Sequence, residues 1–189
     1  MNDKINDLYQ EAILKLKSGM RPQIKLNQEL IELIKKDWGN ILSENHGDHT
    51  HFLKLKQIFC ILDNSQNSSS EFNSEFILSL KKLLEWKNHE LIVYCLSASQ
   101  KHLIAESFKS GQMIAIEYFD ILKVLLKSGD SEVKEWTLRT IESLGPLSLR
   151  LKKEIIAAKP GLMKHFNQHQ KASAQIIQFL EQEWKRMKL

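Results

Sequence analysis

Apolar residues recur every three to four positions along almost the whole chain, the spacing of one face of an α-helix. Ile5, Leu8, Tyr9, Ala12, Ile13 and Leu16 stripe a first helix, which Ser18-Gly19 ends and Pro22 seals off. A second runs from Ile24 to Leu42 with Leu30, Ile31, Ile34 and Trp38 on its apolar face, and a third from Phe52 to Leu62 after a turn at His46-Gly47-Asp48. Residues 64–74 are rich in Ser and Asn, with Ser68-Ser69-Ser70 at their centre, and read as a mobile loop rather than a domain boundary. Further helices are predicted over 76–86, 90–108, 113–126, 131–144, 148–158 and 170–188. No segment sustains the period-two alternation of a half-buried strand. The fold class is all-α.

Self-comparison at an offset of 42 residues aligns Leu80, Leu83 and Leu84 with Leu122, Leu125 and Leu126. It then aligns Asn88 with Asp130, Glu90 with Glu132, Leu91 with Val133, Tyr94 with Trp136 and Leu96 with Leu138. Each unit is an apolar helix, a short polar turn, an Asn or Asp whose side chain can cap the next helix, and that second helix. The stretch Asp130 to Gly145 resembles the second helix of a HEAT repeat. Asp130 takes the capping place, Val133 the first core place and Lys134 the basic place, with Thr137 and Thr140 where the family prefers Ala. The copy at 88–102 keeps Asn88, Leu91, Cys95 and Ala98 but has Ile92 for the basic residue. Weaker copies fit with Asp48 or His169 as cap. The resemblance to HEAT/armadillo-like helical repeats is clearest at residues 76–145 and weak elsewhere. A period of 40–47 residues with two helices per unit belongs to that class. The expected architecture over residues 1–189 is a single all-helical repeat domain, a HEAT-like α-solenoid of about four antiparallel helix pairs, with an irregular helical bundle as the alternative.

Composition narrows the setting. Gly and Pro together supply 10 of 189 residues, too few for the closely spaced turns of a β-sandwich or barrel. The longest apolar run, Leu91 to Leu96, is far below the ~18 residues that span a bilayer. The polar Met1–Lys4 opening reads as a genuine N-terminus without a secretory signal. Two cysteines, Cys60 and Cys95, lie within apolar helical patterns and form no disulfide framework. The expected location is cytoplasmic.

The net charge of +4 is unevenly spread. From Leu147 onward nine Lys/Arg face three acids, so the C-terminal portion is basic and the rest of the chain slightly acidic. Only four of the 27 basic residues are Arg, the better group for bidentate phosphate recognition.

Three candidate sites follow. Tyr94 and Trp136 share one repeat position. With Lys134 and Arg139 they would form an aromatic and basic partner-binding surface, or else both rings would plug the seam between repeats. Arg150, Lys152, Lys153, Lys185, Arg186 and Lys188 form an alternative nucleic-acid patch. His46, Asp48, His49 and His51 are the one local cluster of metal-ligating types, a weak candidate because they sit on a turn with no Cys nearby. No metal or other cofactor is called for.

Nucleophile-elbow, phosphate-loop, dinucleotide-fold and zinc-helix motifs are all missing, and the sequence singles out no catalytic residue. The leading expectation is an interaction or scaffold module binding a protein or peptide on its concave face. The alternative is a nucleic-acid-binding protein similar to the HEAT-like DNA alkylation-repair enzymes. Against that stands the absence of the paired tryptophans followed closely by Asp that the resemblance would require. A third reading makes the last helix, with Ile176, Ile177, Phe179, Leu180 and Trp184 beside Lys185, Arg186 and Lys188, a membrane-surface element, against the simpler role of capping the last repeat.

Overall fold

A computed structural model describes residues 4–44, 46–161 and 167–187. Among them each predicted apolar stripe contains a helix, but residues 24–27 and 113–115 lie outside the helices they were expected to begin, Ile24 forming an isolated bridge with Ser65, and no longer strand occurs. The helices are α1 (Lys4–Lys17), α2 (Gln28–Ser43), α3 (His49–Asp63), α4 (Asn73–Glu85) and α5 (His89–Ser99). They continue with α6 (Glu106–Ser110), α7 (Ile116–Leu125), α8 (Ser131–Ser143), α9 (Lys152–Ala157) and α10 (Gln168–Arg186).

Several of the longer helices start at side-chain caps. Asn27, Asp48, Asn88 and Asp130 each accept a backbone N–H from the first turn of the helix that follows, satisfying donors that the helix cannot. The last helix departs from expectation here. Its cap is Asn167, whose side chain accepts from the N–H groups of His169 and Gln170. His169 instead lies in the first turn, where its ring meets Glu135 on α8. Two predicted helices are also irregular. The 90–108 stripe carries a π-helical stretch, Gln100–Ala105, between α5 and α6, and Gly145–Leu151 is a 3-10 segment before α9.

The chain divides into two units, Met1–Met113 and Ile114–Leu189. In the first, α3 lies between α1 and α5, while α4 packs against α2 and α5. Alternate helices are therefore neighbours. The core centres on Trp38, fully buried among Phe59, Phe76 and Phe72 at ring-centroid distances of 5.4, 5.0 and 6.0 Å. Its indole N–H donates to Ser79 Oγ at 2.6 Å, as a buried tryptophan requires.

The Ser/Asn-rich segment is tied to this core. Asn67 bonds Leu26 through both its amide groups, Gln66 N–H donates to Ile24 O, and Phe72, in the 3-10 turn Ser70–Phe72, is fully buried. The segment thus has specific partners where the sequence suggests only a mobile loop.

In the second unit α8 packs against α7 and α10, and the 3-10 segment touches α7, α8, α9 and α10. Trp184 is buried here and donates its N–H to Ser148 Oγ at 3.0 Å. Each unit thus closes around one buried tryptophan bonded to a buried serine.

Candidate binding surface

The two aromatic residues of the repeat position are half-buried, one in each unit. Tyr94, on α5, has the Lys56 ammonium 5.3 Å from its ring centre. Glu90, one turn earlier on α5, holds that ammonium at 2.6 Å, and this hydrogen bond raises the Lys56 pKa. Trp136, on α8, has the Arg139 guanidinium 5.8 Å from its ring centre. Arg139 is fixed in turn by Glu135, through Nη2 at 2.6 Å and Nε at 2.8 Å to the same carboxylate oxygen. The other Glu135 oxygen meets His169 Nδ1 on α10 at 2.7 Å. Both sites therefore share one chemistry: an aromatic face, a cation lying over it, and a carboxylate that holds the cation in place.

Lys134 does not join Trp136 and Arg139. Two residues along a helix is a rotation of about 200°, and Lys134 instead lines a hollow on another side of α8. The buried Glu135 and its partner His169 are the parts of this arrangement that sequence reasoning missed. A carboxylate at a mostly buried helix position, one turn before an Arg, was the available signal.

The basic C-terminal residues have mixed roles. Arg150 lies 5.3 Å from the Phe119 ring centre and Lys152 5.7 Å from that of Trp184. Arg186 pairs with Glu183 at 2.7 Å. Lys153 lines the same hollow as Lys134, and Lys185 borders a shallow one beside Trp184. Lys188 lies outside the described residues. The apolar face of α10 is spent on packing: Ile176, Ile177, Leu180 and Trp184 are buried, leaving Phe179 partly exposed.

At the histidine turn, the Asp48 carboxylate caps α3 by accepting from His51 N–H at 2.8 Å, and this bond holds its pKa below the usual range. The His51 ring turns back on the same cap, which completes a capping box. Among the described residues no three His, Cys, Asp or Glu side chains stand close enough to share a metal ion.

His102 is the most constrained polar side chain of the first unit. Fully buried on the π-helical stretch, it stacks on Phe76 and meets Phe72 edge-on. Its Nδ1 accepts from Ser69 N–H at 3.1 Å, and its Nε2 donates to Leu62 O at 2.9 Å and faces Ser65 Oγ at 3.2 Å. These partners fix one neutral tautomer. The neighbouring Lys101 and Glu106 bond Ser65 O and Ser68 Oγ, so this stretch clamps the Ser/Asn-rich segment.

The chain matches no protein-family model, no curated protein and no solved structure. No described helix is long and apolar enough to cross a membrane.

Proposed function

We propose that this chain is a non-catalytic, HEAT-like interaction module of the cytoplasm that docks a protein or peptide through its cation-covered aromatic residues. The observation that carries this reading is the shared chemistry at Tyr94 and Trp136. A half-exposed ring beneath a tethered cation offers an apolar face together with N–H donors for a partner carboxylate. Such aromatic and Arg positions concentrate binding energy in interfaces. The alternation of neighbouring helices in the first unit and the Asn or Asp caps before α3, α5, α8 and α10 lend support to a repeat stack.

The test is affinity capture with the wild-type chain and a Tyr94→Ala/Trp136→Ala variant. The captured protein is then purified and its Kd measured against both. The reading predicts at least a tenfold weaker Kd for the variant at a melting temperature within a few degrees of wild type. Equal affinity, or loss of binding only through loss of folding, would refute it.

The nucleic-acid alternative has less support. Arg186 is paired with an acid, and Arg150 and Lys152 are drawn onto the Phe119 and Trp184 rings. Fluorescence anisotropy of labelled duplex and single strand at low and near-physiological salt decides it. Binding that persists at the higher salt with a steep salt slope would reverse the order of the two readings.

A further inference from the structure

The second unit contains a hollow of about 550 Å³, within the usual range for small-molecule sites. Its wall is apolar along Leu126, Ala157, Ala158 and Pro160. Its charge is strongly one-sided. Lys127, Lys134, Lys153 and Lys159 line it against one carboxylate among the lining residues, Glu154. Lys159 is engaged by Glu181 at 2.7 Å, but the other three lysines have no ion pair among the described residues.

Two hydroxyls and Gln170 also belong to the lining. Ser131 Oγ, in the first turn of α8, accepts from Asn167 Nδ2 at 3.1 Å and keeps its own proton for donation. Ser173, on α10, is 1% exposed, and its Oγ has no hydrogen-bond partner among the described residues. A buried hydroxyl left unsatisfied costs stability.

We propose that this hollow binds a small organic phosphate ester. The anionic head is taken by Lys127, Lys134 and Lys153 with Ser131 donating, and the organic body lies along the Leu126–Ala157–Ala158–Pro160 wall. Three lysines without an ion pair among the described residues line one hollow. Ammonium groups are point charges that suit a phosphate approached from several sides. The apolar wall gives an ester an advantage that inorganic phosphate lacks. This site stands apart from the Trp136 surface, and neither depends on the other.

The test is isothermal titration of the full chain with phenyl phosphate, inorganic phosphate and phenol at low salt. Phenyl phosphate is expected to bind saturably at one site, at least several-fold more tightly than inorganic phosphate, with phenol not binding. Lys134→Gln and Lys153→Gln should each weaken it by roughly tenfold. Ser131→Ala should weaken it several-fold. Lys36→Gln, on the first unit, should leave it unchanged. Phenyl phosphate binding no better than phenol, or losing as much affinity with Lys36→Gln as with Lys134→Gln, would overturn the proposal. Inorganic phosphate binding as tightly as the ester would overturn the role of the apolar wall. Circular dichroism of the Ser131→Ala chain separates a folding defect from a binding defect, and the two lysine variants carry the test by themselves.

Discussion

Acidification should destabilise the first unit through one residue. His102 is held neutral with its pKa lowered from 6.5 to about 4. Burial is the largest cause and the Lys101 ammonium adds to it, while the bond to Leu62 O and the Glu106 carboxylate pull the other way. Protonation would also set a ring N–H against Ser69 N–H, which now donates to that nitrogen. Because the folded pKa lies below the unfolded one, the unfolded chain takes up the proton first as pH falls. The contribution is complete above about pH 6.5 and lost progressively down to about pH 4, amounting to about 3 kcal/mol in all and about 2 kcal/mol by pH 5. That is a large part of a typical stability of roughly 5–15 kcal/mol. Other groups titrate in the same window, so the measurement is a difference. Urea unfolding followed by tryptophan fluorescence, at pH 7, 6, 5 and 4, compares wild type with His102→Gln. Gln supplies an acceptor and a donor but no titration. The variant should be the less stable at pH 7, and the gap should narrow by about 2 kcal/mol at pH 5. Parallel curves across the range would show that His102 does not carry the acid sensitivity.

Four further outcomes are expected. Ser79→Ala strands the buried Trp38 N–H and should cost about 1–3 kcal/mol in urea unfolding; no loss would mean that the indole finds another acceptor. Asp130→Ala removes the acceptor for Glu132 and Val133 N–H and should cost about 1 kcal/mol, with Asp130→Asn recovering most of it. Lys87 follows α4 in a left-handed conformation at φ 54°, with Asn88 N–H bonded back to Leu83 O. Lys87→Gly should therefore stabilise by roughly 0.5–1 kcal/mol, and a lower denaturation midpoint would refute the strain. Burial raises the pKa of both thiols, that of Cys95 well above the ordinary value. Alkylation at neutral pH should accordingly spare Cys95 until the chain unfolds and reach Cys60 only slowly, as mass spectrometry of labelled peptides would show.

Much of the local structure was legible in the sequence. The three-to-four spacing locates the helices, and Asp48, Asn88 and Asp130 mark three starts, because a cap acts on backbone groups two or three residues away. The π-helical stretch was not legible. Gln100–Ala105 continues the same apolar pattern as α5, and only its packing against the Ser/Asn-rich segment distinguishes it. The candidate surface was read in part. Periodicity matched Tyr94 with Trp136, but it grouped Lys134 with Trp136 by closeness in sequence, although the turn of the helix sends their side chains apart.

The sequence by itself determined that this chain is helical, where most helices begin, and that its C-terminal portion is basic. These properties depend on residues within a turn or two of each other or on composition alone. Tertiary structure decided which polar groups meet. Trp38 finds Ser79 across 41 residues, Trp184 finds Ser148 across 36, Glu135 finds His169 across 34, and His102 finds Leu62 across 40. It also left Ser173, among the described residues, without a hydrogen-bond partner beside a lysine-lined hollow. Such pairings follow from the way helices stack, and a helical period records which face of a helix is buried without recording what lies against it.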